Sequence, residues 1–143
     1  MTKVDFYINE KKENNGRFLL ACRLVEKVYR LGHRVYIHTD SPEQSQAIDD
    51  LLWKFKQNSF IPHVTVDADN NGETSILIGH NAENELEDDV LINLSRNVPG
   101  FFSRFHRVVE VIDQDEHERI AGRERFKFYR ERGYPLESHT ISA

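Results

Sequence analysis

The sequence predicts an α/β protein, a three-layer α/β/α sandwich around a largely parallel sheet. Two observations lead there. Short β-rich runs alternate with stretches whose apolar residues recur at helical spacing, and further strands and a long final helix follow. The 143 residues, 38% hydrophobic and 30% charged, suffice for one domain with its own core and are too apolar for a disordered chain. No repeat, linker or low-complexity stretch divides them, so residues 1–143 are expected to form a single domain.

The run VDFYI, Val4 to Ile8, alternates like a strand. After a polar turn, RFLLACRLVEKVYRL places Ala21, Leu24, Val25 and Val28 on one helical face, with Gly32 as the stop. RVYIH, Arg34 to His38, is a second strand. Ser41, Pro42 and Gln44 then supply a cap, a first-turn proline and a capping-box glutamine for a helix reaching about Lys54. Its apolar stripe is Ile48, Leu51, Leu52 and Phe55, which turns Trp53 away from the core. In SFIPHVTV, Ser59 to Val66, Pro62 allows a strand only at its start or on an edge. A turn is expected at Asp67–Gly72, and strands resume at TSILIG, DVLINLS and RVVEVI. The last helix runs from about Asp115 to Arg132, stopped by Gly133.

Composition narrows the function. The lone Cys22 lies at an apolar helical position, which suits a reducing cytosol, and the chain opens straight into a strand pattern with no signal-like or membrane-spanning run. A net charge of -5 disfavours general nucleic-acid binding, and the acidic run Glu83 to Asp89 reads as a solvated loop. None of the seven glycines has phosphate-loop spacing, and the seven histidines show no metal-ligand spacing, so neither cofactor nor metal is expected. His38 and Asp40 end a predicted strand, where α/β enzymes place acid–base or metal groups, but a strand running into a helix cap is the better supported reading.

The last helix carries more chemistry. RERFKFYRERGY, Arg123 to Tyr134, packs five cations and four aromatics into an acidic protein. At about 100° per residue, Arg119, Arg123, Phe126, Lys127 and Arg130 share one side, whereas Ala121 and Phe128 face the core and Arg125 falls outside the stripe. A solvated helix with Glu124 and Glu131 as local ion-pair partners is one reading. A cationic rim beside an apolar slot, suited to an acidic peptide with an aromatic or carboxylate anchor, is the other. Such a surface also suits bases of a single strand. Trp53 and Phe60 form a second candidate contact set.

The opening VDFY, the block LGHRVYIHTDSPEQSQAIDDLLWKFKQNSFIPH, the strand DVLINLS and the closing RERFKFYRERGY together resemble the chi subunit of bacterial DNA polymerase III holoenzyme. The resemblance spans nearly the whole chain, with LW…SFIPH and the RERFKFYR helix as its most specific pieces. It implies a noncatalytic, cytoplasmic adaptor at replication forks, with a Rossmann-like fold lacking a phosphate loop. Such an adaptor pairs with the psi subunit of the clamp-loader assembly, grips the acidic C-terminal tail of single-stranded DNA-binding protein, and meets DNA only indirectly. By this resemblance Arg119 and Arg123 receive the tail's carboxylates, Phe126 lines the pocket for its terminal Phe, Lys127 and Trp53 flank it, and Phe60 with Pro62 meets psi. Arg119 stands where Lys is familiar and keeps the charge; Phe126 stands where Tyr is familiar and offers no hydroxyl hydrogen bond. Nothing is carried over between Asp67 and Asp89.

Overall fold

A computed structural model describes residues 2–11, 16–54, 62–65, 75–80 and 89–141. Along the chain the elements are β1 (Lys3–Asn9), α1 (Gly16–Arg30), β2 (Val35–His38), α2 (Pro42–Lys54), β3 (Val64–Thr65), β4 (Ile76–Gly79), β5 (Val90–Asn93), a 3₁₀ turn (Phe102–Arg104), β6 (Arg107–Ile112), α3 (Glu116–Glu131) and β7 (Leu136–Ile141). The strands form one sheet in the order β3-β4-β2-β5-β6-β1-β7, and every pairing is parallel.

Strand alternation divides the core in two. Val35 and Ile37 of β2 point to the face covered by α1 and α2, where Ala21, Leu24, Val25, Ile48 and Leu52 meet Ile76, Ile78, Ile92 and Val109. Tyr36, between them, points to the opposite face, where Phe6, Leu91, Phe102, Phe105 and Val108 pack against Tyr129 of α3. Helices α1 and α2 carry the chain toward the β3 edge, while α3 carries it toward β7. One crossover hand on a parallel sheet puts those two directions on opposite faces.

Local chemistry sets the helix ends. Ser41 Oγ accepts from the Gln44 amide at 3.2 Å, and the Gln44 side chain accepts from the Asp40 amide at 2.9 Å, a near relative of the capping box. Asp115 caps α3 by accepting from the Glu118 amide. Gly32 and Gly133, at φ 88° and 77°, take the left-handed conformation that ends α1 and α3.

The sequence reading needs one correction here. It ended on the last helix, yet β7 follows and pairs with β1 along its whole length. LESHTI has no continuous apolar face, because it is the edge strand and none of its residues is fully buried. In the Ser59–Val66 region Val64–Thr65 form β3 on the sheet edge, where Pro62 allows a strand. Phe55, Phe60, Asp67–Gly72 and Glu83–Asp88 lie outside the described residues.

A sealed polar network holds α3 to the sheet. Glu110 of β6 is 0% exposed; its Oε1 accepts from Arg125 Nε at 2.7 Å, and its Oε2 from Tyr129 Oη at 2.7 Å and Asn93 Nδ2 at 2.9 Å. Burying the Glu110–Arg125 pair is tolerable because each carboxylate oxygen has a donor. Arg125 lies off the cationic stripe, as the helical projection places it. Burial, and then the Glu110 charge, pushes the Tyr129 hydroxyl well above its ordinary pKa, which keeps it a neutral donor.

Candidate functional site

Between α3 and the β7 side of the sheet lies a cleft of about 380 Å³. Phe6 and Ile8 of β1, Ile112 of β6 and Ser138 of β7 line it from the sheet, and Arg123, Phe126, Lys127 and Arg130 from the helix. Parallel register brings the sheet residues together: Phe6 is level with Ser138, and Ile8 with Ile112. Phe126 is half-buried rather than projecting into water, with its ring edge-on to Phe6 at 5.1 Å. The Arg130 guanidinium lies 5.9 Å from the Phe126 ring centre.

The rim is cationic and loosely held. Lys127 Nζ is 3.8 Å from Glu131 Oε1, with both side chains largely exposed, an ion pair of little strength. Arg123 is exposed and has no carboxylate within ion-pair distance among the described residues. An apolar floor under three cations can take an aromatic or aliphatic group and bind the carboxylates attached to it.

The predicted residues separate into three places. Arg123, Phe126 and Lys127 line the cleft, joined by Arg130. Arg119 is exposed one turn toward the start of α3 and continues the stripe beyond the cleft walls. Trp53 is 50% exposed, as its helical position predicts, but it belongs to α2 in the layer on the opposite face and cannot flank the cleft. Its ring lies 4.5 Å from that of His63, beside the half-buried Pro62, so Trp53 and Pro62 share one surface. Phe60 is not among the described residues. The reading missed Phe6, Ile8, Ile112 and Ser138. The alternation in VDFYI already placed Phe6 and Ile8 on one face, but no local signal said that α3 would border it.

The N-terminus of α1 offers no phosphate site. In dinucleotide folds the first helix N-terminus receives a phosphate. Here Asp113 Oδ2 accepts from the Arg17 amide at 3.2 Å, and a Cβ on Gly16 would stand 3.0 Å from Asp113 Oδ1. The chain's own carboxylate occupies the anion position. Arg17 is buried, with its guanidinium donating to the Val111 and Leu94 carbonyls and pairing with Glu118 at 3.0 Å.

His38 and Asp40 do not form an acid–base pair. Both Asp40 oxygens accept from the Arg96 amide, at 3.2 and 3.0 Å, tying two loops together. The His38 ring packs edge-on against Phe101 at 5.2 Å, and burial lowers its pKa, only partly offset by Asp40. Asp5, Glu137 and His139 gather their ligand-capable atoms within 4.8 Å of one another, a cluster invisible in the sequence because its members come from opposite ends of the chain. Its charge is compensated by the protein: Arg107 Nε is 3.3 Å from Asp5, Lys3 Nζ is 3.0 Å from Glu137, and His139 is 3.2 Å from Asp5. A divalent cation would have to displace those partners.

No helix among the described residues is long and apolar enough to cross a membrane. Among solved structures, the chain is similar to the one described as the crystal structure of T4 UvsW, at a TM-score of 0.67 and 11% identity over 99% of this chain and 42% of that one, a likeness of fold alone. Among curated proteins it is 39% identical to the DNA polymerase III subunit chi of Pseudomonas aeruginosa over 99% of this chain and 98% of the relative. The subunit of the same name from Haemophilus influenzae is 30% identical over 85% of each chain, and that from Escherichia coli 28% identical over 85% of this chain and 83% of the relative. The family model described as "DNA polymerase III chi subunit, HolC" matches residues 1–137. With that match across the fold that builds the cleft, the chain belongs to the DNA polymerase III chi subunit family, whose members are accessory rather than catalytic subunits.

Proposed function

We propose that the cleft between α3 and β7 grips the acidic C-terminal tail of single-stranded DNA-binding protein, tethering the polymerase assembly to coated single strands. The observation that carries this reading is the apolar floor of Phe6, Ile8, Ile112 and Phe126 under the rim of Arg123, Lys127 and Arg130. The tail's last aromatic side chain rests in the cleft against Phe126 and Ile8, its terminal carboxylate pairs with Arg123, and the acidic residues before it meet Lys127, Arg130 and Arg119. A net charge of -5 keeps naked DNA at a distance, so the contact with DNA is indirect.

The second partner is psi, which connects the protein to the clamp loader. It contacts Phe60 and Pro62. The packing of Trp53 on His63, next to Pro62 in the chain, supports a role for the indole in that contact rather than in the tail's.

Calorimetry with the tail peptide, and with the same peptide lacking its terminal Phe, tests the first contact. Arg123→Ala should weaken the full peptide at least about tenfold, as loss of one charge-assisted contact implies, with unchanged thermal stability. Equal affinity for both peptides, or for both proteins, would remove the tail from this cleft. Phe60→Ala should impair co-purification with psi and leave tail affinity unchanged; intact psi pairing would displace that interface.

A further inference from the structure

The other flank of α3 carries a second cleft, of about 270 Å³, whose walls include Arg96, Val98, Ile120, Glu124, Arg125 and Phe128. It shares no residue with the first. Arg125 is 2% exposed, and two of its nitrogens are engaged: Nε by Glu110, and Nη1 by the Arg96 carbonyl at 3.1 Å. Nη2 is sealed from solvent and has no acceptor among the described residues. A buried guanidinium N–H without an acceptor is destabilising, and native structures seldom leave one unmet. Beside it, Ile120 is 45% exposed, an apolar side chain left open at the same cleft that Val98 and Phe128 line.

We propose that this cleft binds a monoanionic carboxylate carrying an apolar body. The carboxylate accepts from Arg125 Nη2 and pairs with the exposed Arg96, while the apolar part rests on Ile120, Val98 and Phe128. Glu124 lines the same space and repels any further negative charge, so the ligand is singly charged, unlike the acidic run suited to the first cleft. Nη2 lies just behind the surface, so binding requires the side chains of the cleft wall to give way locally. A free small acid and a protein C-terminus with an apolar last residue share this chemistry.

Methyl and amide NMR on the full chain tests it with three probes: N-acetyl-phenylalanine, its neutral amide, and an uncharged peptide ending in Phe with a free carboxylate. The acid or the peptide should shift Val98 and Ile120 saturably, with the amide about tenfold weaker or more. Saturation by the peptide alone identifies a protein terminus as the source, and saturation by the free acid alone a small molecule. Ile120→Glu, at an exposed position, should abolish the Val98 shifts while sparing those that the acidic tail peptide produces at Ile112 and Phe126. The proposal fails if neither acid nor peptide moves Val98 and Ile120 at the highest soluble concentration. It also fails if the amide binds as well as the acid, or if Ile120→Glu leaves the Val98 shifts intact.

Discussion

Replacing Tyr129 by Phe tests whether the Glu110 network holds the binding helix in place. The substitution keeps the ring in its 0% exposed site and removes one hydroxyl that donates to Glu110 Oε2 at 2.7 Å. A hydrogen bond to a charged group contributes about 1.5–3 kcal/mol. Here Oε2 keeps Asn93 at 2.9 Å and Oε1 keeps Arg125 at 2.7 Å, so no acceptor is orphaned and the loss falls near the lower half, about 2 kcal/mol. For a domain of this size that corresponds to roughly 6–10 °C in Tm. Urea unfolding should show a lower midpoint with an unchanged slope, since the surface exposed on unfolding stays the same. Arg125→Met is the contrast: it strands the Glu110 carboxylate and should cost about 3–5 kcal/mol. Tail-peptide affinity of Tyr129→Phe, measured well below its Tm, should stay within about twofold, because the hydroxyl is outside the cleft walls. A loss under about 0.5 kcal/mol would refute the argument, since it would mean that water already serves Glu110.

Two further outcomes follow from the same packing. Gly122→Ala gains about 1 kcal/mol of helix propensity, but the new Cβ would lie 2.7 Å from Ile112 Cγ1 and Cδ1. Overpacking of about 1–3 kcal/mol outweighs the gain, so chemical denaturation should show a net loss. Because Ile112 also lines the cleft, calorimetry should show weaker peptide binding. His38 has its pKa lowered below the ordinary 6.5, chiefly by burial, so the unfolded chain takes up the proton first on acidification. Its contribution to stability is complete above pH 6.5 and is lost as pH falls toward its folded pKa. His38→Gln should therefore flatten the stability profile below that pH in denaturant titrations, and an unchanged profile would contradict the assignment.

Much of this is legible in the sequence because it is local. One turn of helix repeats every few residues, so the projection of RERFKFYRERGY separates Arg123, Phe126, Lys127 and Arg130 from the buried Arg125 without reference to the rest of the molecule. The capping box at Ser41 and the stops at Gly32 and Gly133 are equally local. Trp53 marks the limit of such reasoning. The stripe of α2 correctly turns the indole outward, yet it is silent on which face of the sheet α2 covers. β7 marks another limit: an edge strand with none of its residues fully buried, it lacks the apolar alternation that reveals an interior strand.

The sequence by itself determined the α/β class, the cationic side of the last helix and the absence of a phosphate loop, all of which rest on periodicity or spacing over a few residues. Only the tertiary structure decided that this side borders a cleft. Phe6, Ile8, Ile112 and Ser138 come from three strands at both ends of the chain, and parallel register sets Phe6 level with Ser138 and Ile8 level with Ile112 in the cleft that Phe126 also lines. The same structure moved Trp53 to another surface and left one nitrogen of Arg125 without an acceptor among the described residues. These features depend on where crossovers land and on what remains to satisfy a buried group, and both are properties of the whole packed chain rather than of any segment.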